Sequence, residues 1–123
     1  MIETRIELPG APPELRHLVE AADAVLHERA ENSQGLKFVG VWSADGSAPV
    51  TERVRLTVRL DQDEVSHAVT AAELADHRDT RDAVREAVRA VVRESSHRSA
   101  REIVRLVEEI RSELASEVTT VGH

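Results

Sequence analysis

The stretch Asp79–Glu94, DTRDAVREAVRAVVRE, constrains the fold of this chain more than any other. Its apolar residues fall at Ala83, Val84, Ala87, Val88, Val91 and Val92. That is the i, i+3, i+4 recurrence of a helix with one buried stripe. Beside it runs a second stripe, Arg81, Arg85, Arg89 and Arg93, each four residues from the last. Side chains four apart stack along one helix face. The segment therefore packs its valines on something apolar and carries a row of guanidinium groups along an adjacent edge.

The elements before it supply what the valines cover. Ile2–Leu8 alternates Ile2, Thr4, Ile6, Leu8 against Glu3, Arg5, Glu7, a half-buried strand. Pro9-Gly10 ends it, and Pro12-Pro13 lead to a helix over Glu14–Glu31 with Leu15, Leu18, Val19, Ala22, Val25 and Leu26 inward. The outer face of that helix is read as Glu14, Glu20, Asp23, Glu28 and Glu31 against Arg16 and Arg29. Asn32-Ser33-Gln34-Gly35 reads as a helix stop. Leu36–Ser43 is a strand with apolar residues on both faces, which predicts cover on both sides. Ala44–Pro49 is a loop around the Asp45-Gly46 turn signal. Thr51–Leu60 points Val54, Leu56, Val58 and Leu60 inward and Arg53, Arg55, Thr57 and Arg59 outward; with Val65–Thr70 it predicts a hairpin. Residues 71–78 read equally as a helical turn begun by a Thr70/Glu73 capping box or as strand and loop.

After Glu94 the pattern predicts a break at Ser95-Ser96. A new helix, Ala100–Glu117, is capped by Ser99 with Glu102 and striped by Ile103, Leu106, Val107, Ile110 and Leu114. That stripe fits packing on the domain or helix–helix oligomerisation. The order β-α-β-β-β-α plus an extra C-terminal helix predicts an α+β fold. Both helices would pack on one face of a four-stranded, mostly antiparallel sheet. Residues 1–96 form the domain, 97–117 the helix packed on it or used for oligomerisation, and 118–123 a flexible tail.

Composition narrows the function classes. At 123 residues the chain is one domain on size, long enough to bury about two-thirds of its unfolded surface. The absence of cysteine excludes disulfides and thiolate chemistry. The N-terminus lacks the apolar core of a signal peptide and no apolar run approaches a bilayer span, so a cytoplasmic protein is expected. Residues 1–77 hold 7 basic and 14 acidic residues, while 78–123 hold 9 of each. An anionic partner would therefore meet the second half. The only aromatics are Phe38 and Trp42, too few for a base-stacking platform.

No catalytic constellation is legible. The histidines at 17, 27, 67, 77, 97 and 123 show no zinc spacing, and Asp76-His77 are sequence neighbours whose side chains point apart on a helix. The serines show no nucleophile elbow, the glycines no phosphate loop, and Asp61-Asp63-Glu64 no calcium-loop ligand count. No enzyme, cofactor or metal is expected. The Arg81–Arg93 row is either a solvated face, paired locally with Asp82 and Glu86, or a contact for an anion. Arg53, Arg55 and Arg59 are either an exposed sheet face or a docking surface.

Three stretches in this order resemble the ribosome hibernation-promoting factor family: PELRHLVEAADAVLHERA with its Leu-Arg pair and helical spacing, the strand ERVRLTVRL, and DTRDAVREAVRAV. In the last, Asp79 precedes the repeated Ala83-Val84 and Ala87-Val88. The resemblance covers residues 1–94. It implies a ribosome-associated, RNA-binding role in translation regulation under stress. The partner would be the small ribosomal subunit or its rRNA, contacted through Arg81, Arg85, Arg89 and Arg93, with neighbouring Arg78, and through Arg16 and Arg29 on the first helix. The chain departs from that pattern in its net acidic first helix and its extra last helix. The residues also support an alternative: a protein–protein interaction module or homo-oligomeric structural subunit, without nucleic acid, using Ile103, Leu106, Val107, Ile110 and Leu114.

Overall fold

The computed structural model of the chain describes residues 1–32, 35–46 and 52–121, the last five of these as backbone only. The expectations resting on Ser33-Gln34, on Ser47–Pro49, on Thr51 and on the last two residues lie outside the described residues. The elements are β1 (Ile2–Glu7), α1 (Pro13–Glu31), β2 (Phe38–Ala44), β3 (Arg53–Leu60), β4 (Asp63–Thr70), α2 (Ala71–Ala75) and α3 (His77–Val121). The strands form one sheet in the order β1-β2-β3-β4. β1 and β2 are parallel, joined through α1; the other two pairings are antiparallel.

Register follows from the alternation. Ile2 sits opposite Phe38 and Phe38 opposite Leu60; Ile6 sits opposite Trp42 and Trp42 opposite Leu56. These rows share one face, and α1 and α3 both pack on it. Leu15, Val19, Ala22, Leu26 and Ala30 of α1 are buried there with Val84, Ala87, Val88 and Val91 of α3. Gly40 permits the close approach of α1. A Cβ at that position would lie 3.0 Å from Leu26 Cδ2 and 3.2 Å from Thr4 Cγ2. An isolated glycine inside a strand marks such an approach.

The other sheet face has no helix on it. Val39 there is 37% exposed and Val41 half-buried, so the second cover predicted for β2 is absent among the described residues. β2 is an interior strand, flanked by β1 and β3, and its outward Val39 and Val41 lie on the uncovered face. β3 and β4 form the expected hairpin through Asp61-Gln62, with β4 starting two residues early at Asp63. Asp61 adopts φ 56°, a left-handed conformation that aspartate tolerates better than most residues.

The ambiguous 71–78 segment is the short helix α2. Its Thr70 Oγ1 accepts from Glu73 N at 3.1 Å, while Glu73 Oε1 accepts from Thr70 N at 3.2 Å, a complete capping box. Buried Thr80 donates to Glu73 O at 3.1 Å and satisfies the end of α2. Asp76 then opens α3 by accepting from Asp79 N at 3.0 Å.

The break expected at Ser95-Ser96 does not occur: α3 is one helix of 45 residues. Serine in a helix interior costs only about half a kcal/mol relative to alanine, and the run holds no glycine or proline. Two serines therefore weaken the helix without ending it, and Ser99 is an interior residue rather than a cap. Arg98 pins this part to the sheet, donating from Nε to Asp63 Oδ2 at 2.9 Å and from Nη1 to Glu102 Oε1 at 3.4 Å. That hydrogen bond to Asp63, and the nearby carboxylates, raise the Arg98 pKa against a smaller opposing effect of burial. Asp63 thus belongs to a tertiary ion pair between β4 and α3.

Candidate polyanion-binding face

The arginines of α3 and those of β3 have opposite surroundings. On the open sheet face, Asp45 holds Arg53 Nε at 3.0 Å and Arg55 Nη2 at 2.9 Å, and Glu64 holds Arg59 Nη2 at 3.4 Å. On α3, Arg78, Arg81, Arg85, Arg89 and Arg93 are all exposed. Only Arg85 has a carboxylate, Asp82 Oδ1 at 2.8 Å. The other four make no ion pair or hydrogen bond with the described residues. Glu86, the other local acid, takes none of them. The two arginine sets lie on opposite sides of the molecule and do not merge, because β3 alternates and α3 covers its apolar side.

Arg78, Arg81 and Arg85 border an open cleft of about 640 Å³ between α1 and α3. Across it α1 contributes Glu28 and Arg29 with the capping Asn32 after it, and α3 adds His77 and Asp82. Arg29 Nε is buried without a hydrogen-bond partner. Four guanidinium groups against two carboxylates give the cleft a positive excess inside a chain of net charge −7. Of the acidic residues on the two helices, only Glu28 and Asp82 line the cleft. Arg89 and Arg93 continue the row beyond it, and Arg81 to Arg93 spans about 18 Å at the helical rise.

Arg16 is not brought to this face. Its Nη2 donates to Leu8 O at 2.9 Å, at the start of α1. Asp23 is not on the outer face of α1 either. It turns toward the sheet, where Oδ1 accepts from Trp42 Nε1 at 3.0 Å and Oδ2 from Thr4 Oγ1 at 2.9 Å. His27 Nε2 lies 2.9 Å from the same Thr4 oxygen and 3.5 Å from Asp23 Oδ2. Thr4, Asp23 and Trp42 thus join β1, α1 and β2. Thr4 and the carboxylate meet the same imidazole nitrogen, so the trio lacks the two-ended relay of a nucleophile, base and orienting acid. The sequence signal for it was the i, i+4 spacing of Asp23 and His27; only the register of β1 shows that Thr4 completes it.

The stripe Ile103, Leu106, Val107, Ile110, Leu114 does not pack on the domain. Every residue from Arg101 to Ser116 is exposed. Among the described residues, no group of three or more His, Asp and Glu could hold a metal ion. Nor is any described helix long and apolar enough to cross a membrane. No family model, curated protein or solved structure matches this chain.

Proposed function

We propose that this chain is a non-enzymatic protein that binds a polyanion, rRNA of the small ribosomal subunit in the first instance, through the arginine-lined side of α3 and the cleft beside it. The observation that carries this reading is that, among the described residues, Arg78, Arg81, Arg89 and Arg93 have no carboxylate partner, whereas Arg53, Arg55 and Arg59 of β3 are all paired. An unpaired guanidinium keeps its full capacity for bidentate contact with phosphate. Arg29, with its unpartnered Nε, adds a fifth cation from α1. Phosphate contacts of this kind release counterions, so affinity falls steeply as salt rises. Arg16 plays no part in the face.

Sedimentation with small ribosomal subunits at low and moderate salt tests the reading. Pelleting at low salt that is lost on salt addition, and reduced by Arg81→Glu, is the expected outcome. A folded protein that stays in the supernatant at low salt overturns it. A second reading, a protein–protein interaction module or homo-oligomeric subunit, is supported by a different observation: the uncovered apolar stripe of α3.

A further inference from the structure

We infer that the outer part of α3 is a self-association helix, on which a second copy of this chain packs in the same direction through Ile103, Val107, Ile110 and Leu114. The inference deepens the second reading above and stands apart from polyanion binding. Ile103, Val104, Leu106, Val107, Ile110 and Leu114 are between 43% and 62% exposed. Among the described residues no apolar side chain outside α3 covers this stripe, and a helix of this length is marginal in water without a packed face. The steps 103, 107, 110, 114 are four, three and four residues, the seam spacing of paired helices.

Two features select a second copy as the occupant. The first is area. Six half-exposed aliphatic residues present on the order of 100 Å² each, so mating two such stripes removes about 1,000 Å², the lower bound for a specific interface. The second is charge. Helical projection from the seam puts Arg111 on one flank and Glu102 and Glu113 on the other. A copy running in the same direction sets the Arg111 flank of one helix against the acidic flank of its neighbour, with the Arg111 stem over Leu106. A copy running oppositely sets acid against acid. Same-direction pairing therefore sets opposite charges across the seam where the opposite direction sets like charges, and it places both arginine faces at the same end of the assembly.

The chain has no cysteine, so one introduced thiol reports its own neighbour. Ile103→Cys and Leu114→Cys are both at exposed positions, and Trp42 fluorescence confirms that each variant is folded. Same-direction packing brings each residue against its own copy, within the about 7 Å Cα separation that a disulfide spans. Each single variant should then give a covalent dimer on mild oxidation, with Ser112→Cys on the opposite face giving none. Sedimentation equilibrium of the unmodified chain should give twice its 13.6 kDa mass, and Ile110→Asp should return it to one. A monomeric unmodified chain, a larger assembly, or cross-linking only when the Ile103→Cys and Leu114→Cys variants are mixed would each overturn the inference. Each of these results leaves the salt-dependent sedimentation with ribosomal subunits free to succeed or fail independently.

Discussion

The two parts of α3 carry the same kind of apolar stripe and meet opposite fates. Val84, Ala87, Val88 and Val91 are buried against the sheet and α1, while Ile103, Leu106, Val107, Ile110 and Leu114 face outward. The boundary is Arg98, the last of the described α3 side chains tied to the sheet, through Asp63 at the start of β4. The inner stripe is covered because β3 and β4 present Val54, Leu56, Val58 and Val69 to it. The outer stripe runs beyond the end of the sheet. An amphipathic pattern thus states that a helix face suits burial, and the length of the neighbouring layer decides whether its own chain does the covering.

The comparison can be broken most severely by placing the same substitution in both parts. Val84→Asp buries a charge without a partner and should cost about 4 kcal/mol or more, or prevent folding. Ile110→Asp should leave the unfolding free energy of the domain, from urea denaturation read by buried Trp42, within about 0.5 kcal/mol of the unmodified value when both are measured as monomers. Equal effects at the two positions would show that the outer stripe is covered by its own domain after all.

Smaller effects sharpen the contrast. Gly40→Val inserts a branched side chain where even a Cβ is crowded by Leu26 and Thr4. It should destabilise by about 1–3 kcal/mol, measured by the same denaturation. Asp23→Ala removes the acceptor for Trp42 Nε1 and Thr4 Oγ1 and should cost about 1–3 kcal/mol, with a shift in Trp42 emission. Arg98→Ala should leave the denaturation midpoint of the domain in place while speeding amide exchange around residues 95–100, because it releases only the junction between the two parts.

The arginines extend the same lesson from apolar to charged groups. Arg89→Glu should weaken polyanion binding and lower the slope of log affinity against log salt by about one contact. Arg55→Glu, on the paired sheet face, should change the slope little. Arg55 and Arg89 both stand in regular arginine rows, at period two and period four. Sequence spacing does not distinguish them. Asp45 neutralises Arg55 because the antiparallel register of β2 and β3, with Ser43 opposite Arg55, carries the residue after β2 alongside it. Among the described residues no equivalent acid reaches Arg89.

Local order set much of what was legible in the sequence. The strand and helix sequence, the inward residues of α1 and β3, and the hairpin follow from periods of two and 3.6, while the Thr70/Glu73 cap decided a segment that the sequence left open between helix and strand. The expected break at Ser95-Ser96 failed because serine signals helix ends only when the chain beyond has reason to leave the helix. The outward reading of Asp23 failed because a polar residue on an amphipathic helix turns inward once a buried indole and hydroxyl offer it two donors.

The sequence by itself determined the α+β class, the composition of the core and the presence of a second amphipathic stripe near the C-terminus. These depend on interactions within a few residues of one another and on which side chains avoid water. The tertiary structure decided which arginines are neutralised, which polar groups close the interior around Trp42, and which stripe stays uncovered. Those outcomes depend on strand register and on where the sheet ends relative to α3. Both are set by contacts between residues tens of positions apart, which no local period encodes.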